Sequence, residues 1–179
     1  FGACETLSRQ LMQAFALALG LKRQFFDAWL SLPMATLGPL YYPPVPTNAR
    51  ARISAGAHTD FGCLTLLAQQ HIGGLQILTR DNEWCDVPPR ENMLVVNIGD
   101  MLARWTNDRY ASTRHRVVNK SGETRLSLAF FFDPDPDVDL SPLPGCLSPG
   151  AAPKYPPATS LSHLIDKIGE SFSYRNETE

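Results

Sequence analysis

Residues 62–98 read GCLTLLAQQHIGGLQILTRDNEWCDVPPRENMLVVNI. Four short β-prone pieces lie within them, at 62–68, 74–79, 83–87 and 93–98. Gly73-Gly74 marks one turn between them. Asp81-Asn82 marks another, between Leu75–Thr79 and Trp84–Val87, as in a hairpin. Working outward, similar pieces recur at 50–58, 113–119 and 125–132. Segment 38–46 reads as a further strand, through Tyr41 and Tyr42, running into a rigid turn at its prolines. Strands at this spacing predict a mainly β fold, a sandwich or barrel of the jelly-roll type rather than a βαβ sheet.

Helices flank this body. Leu7, Leu11, Phe15 and Leu19 recur at four-residue steps over 5–19, with Met12 and Ala16 beside them, and Gly20 closes the stretch. Residues 22–30 predict a second short helix presenting Phe25, Phe26, Trp29 and Leu30, and Asp100 to Trp105 a helical turn after Gly99. Residues 133–158 hold eight prolines and read as an extended connection. A last helix over 159–172 is predicted to be capped by Ser160 and to carry Leu161, Leu164, Ile165, Ile168 and Phe172 on one face.

The 179 residues, 44% hydrophobic and 19% charged, fit one domain spanning 1–179 and exclude intrinsic disorder. A net charge of −2 gives no electrostatic basis for holding nucleic acid. No apolar run approaches the ~18–20 residues of a membrane-spanning helix. Cys4, Cys63, Cys85 and Cys146 form no C-x-x-C motif and nothing resembles a secretion signal, so the thiols are expected to be reduced and the protein cytoplasmic. The chain opens on Phe1 rather than Met, and reads as processed or truncated there.

Chemistry concentrates at a few positions. His58 and Asp60 form an H-x-D pair in a strand-like stretch, where residues two apart share a side. In isolation such a pair would be a surface feature at a strand end. His115 follows Asp60 by 55 residues, on another β-prone stretch. Two imidazoles and one carboxylate make a facial triad for non-haem Fe(II), with three coordination positions open. Ten residues further on, Arg125 and Ser127 again sit at strand spacing. A guanidinium fork beside a hydroxyl suits a carboxylate, and a buried arginine needs an anion, from either a structural ion pair or a ligand. Asn97, Asp100 and Trp105 read as ordering the turn after a buried strand, Arg114 and Arg116 as structural ion pairs, and His71 and His163 as solvated.

The order H-x-D, His, R-x-S resembles the iron(II)- and 2-oxoglutarate-dependent dioxygenases of the isopenicillin N synthase-like superfamily. Tyr41-Tyr42-Pro43-Pro44, Gly56 to Gly62, Gly73-Gly74-Leu75-Gln76, Val95 to Asp100, Trp105-Thr106-Asn107 and Ser112 to Val117 carry the likeness. It implies a double-stranded β-helix (jelly-roll) core with flanking helices, lacking the family's N-terminal region. It implies Fe(II) on His58, Asp60 and His115, and 2-oxoglutarate held by Arg125, Ser127 and Tyr42. The expected reaction couples decarboxylation of 2-oxoglutarate to succinate and CO2 with O2-dependent hydroxylation, desaturation or cyclisation of a small organic molecule. Leu40 departs from the pattern, standing where the family's N-Y-Y-P stretch has Asn. Phe61, Leu64, Leu66, Phe130 and Phe132 are expected to line the substrate pocket. An iron oxidase of the same superfamily that consumes no 2-oxoglutarate, and a non-catalytic metal-binding jelly roll, are the alternatives. The sequence assigns no oligomeric state.

Overall fold

The computed structural model describes residues 1–45, 52–119 and 121–176. Helix α1 (Gly2–Ala18) is followed by strands β1 (Met34–Tyr42), β2 (Arg52–His58), β3 (Leu64–Gln69), β4 (Leu75–Leu78), β5 (Trp84–Asp86) and β6 (Val95–Ile98). Then come α2 (Asp100–Trp105), β7 (His115–Asn119), β8 (Arg125–Asp133) and α3 (Ser160–Asn176). The strands form two four-stranded antiparallel sheets, ordered β1-β8-β3-β6 and β2-β7-β4-β5. This is the mainly β, jelly-roll architecture expected. The β4–β5 hairpin turns at Asn82, which takes φ 61°.

Strand parity decides what faces the space between the sheets. Along β8, Arg125, Ser127, Ala129 and Phe131 point inward and line a cavity. Leu126, Leu128, Phe130 and Phe132 point the other way. There Phe130 and Phe132 join Leu64 and Leu66 of β3 in a core with Met12 and Ala16 of α1, Phe26, and Trp105 of α2. The hydrophobic core therefore packs the outer face of the first sheet against helices and leaves the interior free for a site.

Several expectations change. Leu64, Leu66, Phe130 and Phe132 are core residues beneath α1, because they sit on the outward parity of their strands. Phe61 is absent from the cavity wall as well. Residues 22–30 form only a 3-10 turn at Asp27–Trp29, but Phe26 and Trp29 still pack on Trp105 with ring centroids 5.2 and 5.1 Å away. On α3 the cap is Thr159, not Ser160. Thr159 Oγ1 accepts the Ser162 N–H at 3.2 Å and Ser162 Oγ accepts the Thr159 N–H at 2.9 Å, a reciprocal capping box. Leu161, Ile165 and Ile168 face outward, and Phe172 carries no described side chain. Ser160, His163 and Leu164 turn inward instead. Positions 50, 51 and Pro46, expected in strands or turns, lie outside the described residues.

One buried acid makes the fold pH-sensitive. Asp133, at the end of β8, accepts the Cys63 N–H, and its carboxylate sits where a Cβ on Gly62 would fall, 2.1 Å away. Burial pushes its pKa up to about 6, with the nearby Asp60 charge adding to the rise and the Cys63 N–H opposing it. A raised carboxyl stabilises the fold at acid pH. That contribution is present below the unfolded value near ~4 and is lost as pH climbs through about 6. Asp133→Asn keeps the acceptor and removes the titration. Denaturant unfolding of the metal-free protein at pH 4 and pH 7 should show the parent losing on the order of 2–3 kcal/mol relative to Asp133→Asn. Parallel pH profiles for the two proteins would contradict this.

Candidate metal and carboxylate site

The two sheets bring the three expected metal-binding residues together. His58 ends β2 and His115 begins β7, and the two are register partners. Their ring centroids lie 4.3 Å apart. Asp60 follows in the loop after β2, with Oδ1 3.6 Å from His115 Nε2. One ligand atom from each residue falls within 4.8 Å of the others.

Hydrogen bonds fix what these atoms offer. His58 Nδ1 lies 2.7 Å from the Gly56 carbonyl and His115 Nδ1 3.1 Å from the Thr113 carbonyl. A carbonyl can only accept, so each Nδ1 carries a proton, and in the neutral ring that leaves Nε2 with its lone pair free for a metal. Asn97 Nδ2 donates to Asp60 Oδ2 at 2.6 Å, leaving Oδ1 toward His115. Nε2 and Oδ1 at 3.6 Å are too far apart for a hydrogen bond. Electron-pair donors converging on one point suit a cation between them. The sequence reading gives Asn97 only a place in a turn. The signal for its further role is its parity on β6, inward beside Thr65 of β3.

The loop bearing Asp60 docks on the start of α2. The Asp100 N–H donates to the Asp60 carbonyl at 2.7 Å, and the Gly99 N–H to the Cys63 carbonyl at 3.1 Å. Gly99 must lack a side chain here, since a Cβ would lie 2.1 Å from the Gly62 oxygen.

At the other end of the same cavity stands Arg125, fully buried. Its Nε donates to the Gly73 carbonyl at 2.6 Å, Nη1 to Ser127 Oγ at 3.2 Å and Nη2 to Gln69 Oε1 at 3.2 Å. The guanidinium lies over the Tyr42 ring, 4.9 Å from its centroid. Burial lowers its pKa from the ordinary arginine value, and Tyr42 opposes that shift. Among the described residues no acid forms an ion pair with it. The structural ion pair weighed for Arg125 is thus not what the described residues provide. A buried cation held only by neutral acceptors is poised for an external anion. Gln69 and the Gly73 carbonyl were not legible as its partners.

Leu40, Leu67, Leu75, Val117 and Phe131 make the apolar walls between the two polar ends. Leu40 contributes carbon where the resemblance led one to look for an amide. Outside the cavity, Arg116 forms no ion pair among the described residues. Its Nε donates to Gln76 at 2.8 Å and its guanidinium stacks on Trp84 at 4.0 Å. His71 is exposed, as expected. His163 is buried, with 3% of its surface exposed, and burial holds its pKa below the usual histidine value.

Residues 35–134 match the family model described as the 2OG-Fe(II) oxygenase superfamily. The chain belongs to that superfamily. It is 43% identical over 162 residues to the 2-oxoglutarate-Fe(II) type oxidoreductase hxnY of Emericella nidulans, covering 89% of this chain and 46% of that protein. It is 36% identical over 172 residues to the homoarginine-6-hydroxylase 2-ODD-233 of Oryza sativa, covering 93% and 52%. Among solved structures, a full-length Neurospora crassa protein in complex with alpha-KG superposes with a TM-score of 0.87 at 34% identity, over 93% of this chain and 54% of that one. The chain spans about half the length of these relatives. The superfamily's cofactors are Fe(II) and 2-oxoglutarate, and the two ends of this cavity fit them in kind. Among the described residues, no helix is long and apolar enough to cross a membrane.

Proposed function

We propose that this chain carries the core of an oxygenase that couples decarboxylation of 2-oxoglutarate to oxidation of a small organic molecule. His58, Asp60 and His115 hold Fe(II), and Arg125, Ser127 and Tyr42 hold the far carboxylate of 2-oxoglutarate. The observation that carries this reading is Arg125: a fully buried cation without an acidic partner among the described residues, in the cavity that also holds the triad. Two imidazoles and a carboxylate suit non-haem Fe(II).

When bound, iron and 2-oxoglutarate would supply activation of O2, yielding succinate, CO2 and an oxidised substrate. The protein's own part is position and dryness. The Gly56 and Thr113 carbonyls orient the two imidazoles, and Asn97 holds the carboxylate so that one oxygen faces the metal. Arg125 and Ser127 fix the cosubstrate's distal end. The apolar walls keep water from the reacting centre. His58 lies at the exposed end, so substrate approaches from that side. Relatives named as a homoarginine hydroxylase and as a structure with thymine bound support a small-molecule substrate. Free thiols at Cys4, Cys63, Cys85 and Cys146 support a reducing, cytoplasmic setting.

The test is turnover of 2-oxoglutarate with Fe(II) and O2 across a panel of amino acids, aromatic metabolites and organic acids. Succinate release that follows O2 consumption one for one, and stops when Zn²⁺ replaces iron, is the expected result. Substrate oxidation without succinate would move the protein to the oxidases that consume no 2-oxoglutarate. Metal binding with neither would leave a binding module.

A further inference from the structure

We propose that the inward face of α3, through His163 and Lys167, clamps the loop that carries Asp60 and so sets the affinity of the metal site. The proposal rests on reading Asp60 as a metal ligand.

Asp60 is the one member of the triad outside the sheets. β2 ends at His58 and β3 begins at Leu64, so residues 59–63 have no place in either ladder. Their position depends on what packs against them. The start of α2 supplies main-chain donors to the carbonyls of 60–63. Helix α3 reaches the residue after Asp60 directly and the residue before it through Asp100. His163 Nε2 donates to the Phe61 carbonyl at 2.9 Å. Its other nitrogen faces Arg104 Nη1 at 3.4 Å, which can only donate, so Nδ1 accepts and Nε2 carries the proton. Lys167 Nζ lies 3.0 Å from Asp100 Oδ2, and that same oxygen accepts the Thr59 hydroxyl at 3.1 Å.

His163 and Lys167 are four residues apart on one helix, hence on one face. A single rigid element thus fixes the residue before Asp60 through Asp100 and the residue after it directly. This also accounts for the inversion of α3, whose aliphatic residues Leu161, Ile165 and Ile168 face outward. The surface beneath it offers the Phe61 carbonyl and the Asp100 carboxylate, which favour polar partners over hydrocarbon. A histidine serving only to fill the core would affect stability and leave the metal alone. A clamp makes metal affinity depend on one hydrogen bond at a distance from the ion.

Titration of the metal-free protein with Co(II), followed by visible absorption and calorimetry, separates these outcomes. His163→Leu should weaken Co(II) binding about tenfold or more, as for lost outer partners of metal ligands, while circular dichroism stays native. His163→Gln retains an N–H donor and should recover most of that affinity. Lys167→Met, at a partly exposed position, should weaken binding by a few-fold and shift the Co(II) band, and it carries the test if His163→Leu fails to fold. Asp60→Ala is the control for the underlying reading: parental Co(II) affinity in that protein would remove Asp60 as a ligand. If Asp60→Ala loses the metal but folded His163→Leu, or Lys167→Met in its place, keeps parental affinity and spectrum, the clamp is overturned. His163→Gln binding as poorly as His163→Leu would overturn it too.

Discussion

Arg125→Ala is expected to weaken 2-oxoglutarate binding by ~2–5 kcal/mol, roughly 30-fold to several thousand-fold, while leaving metal binding in place. The magnitude follows from where Arg125 sits. It is fully buried on the inward parity of β8, with its three donor groups on the Gly73 carbonyl, Ser127 and Gln69. All three partners are neutral, so the positive charge is stabilised by their dipoles and by the Tyr42 ring but by no opposite charge until an anion arrives. A carboxylate entering beside Ser127 would meet a charge already desolvated and already oriented, and little would be spent on rearrangement. Alanine removes that charge and leaves a cavity that favours no anion. Arg125→Lys keeps a charge but loses the planar fork, and should fall between the two. Calorimetric titration of the metal-loaded protein with 2-oxoglutarate measures the effect. Cosubstrate at a hundred times the parent's Kd should also raise the parent's stability by about 2.7 kcal/mol, and at that same concentration the gain should fall below about 1 kcal/mol in Arg125→Ala. An unchanged Kd would take Arg125 out of the role.

The sequence made this arginine visible because R-x-S places two polar groups on one side of an otherwise apolar strand. The same parity, carried forward, puts Ala129 and Phe131 in the cavity and Phe130 and Phe132 outside it. The expected pocket residues departed from that parity because the run from Leu128 to Phe132 is apolar on both faces. One face meets the cavity and the other meets α1, so alternation disappears from the residue types. On β3 the cue is the reverse of the usual one: polar Thr65 lines the cavity and Gln69 turns to Arg125, while Leu64 and Leu66 face the helices. The α3 stripe failed for a related reason. Hydrophobic periodicity finds an apolar face, but the surface beneath α3 is a polar loop, and no local pattern in residues 159–172 encodes what they pack on. Gln69 and Asn97 on other strands and Gly73 in the turn before β4 lie far along the chain from Arg125 and Asp60, so only the closed sheets reveal them as partners.

His115→Ala should abolish iron-dependent turnover and reduce Fe(II) affinity well beyond the 10–100-fold typical of losing an outer partner, while the fold survives. His115 begins β7, where its main chain pairs with His58, and alanine preserves that ladder. What is lost is one of three electron pairs gathered within 4.8 Å. The two that remain, an exposed imidazole and one carboxylate oxygen, cannot hold a ferrous ion at one point against water. Asn97→Ala offers a graded comparison. It frees Asp60 Oδ2 from a 2.6 Å hydrogen bond without removing a donor, so its affinity should lie between those of His115→Ala and the parent. Metal content after anaerobic loading, read beside the circular dichroism spectrum, measures both. A folded His115→Ala protein with parental iron content would mean that the convergence of these side chains serves some purpose other than the metal. The reversed order, with Asn97→Ala the weaker binder, would place the metal on the Asp60 and Asn97 side of the cavity rather than between the imidazoles.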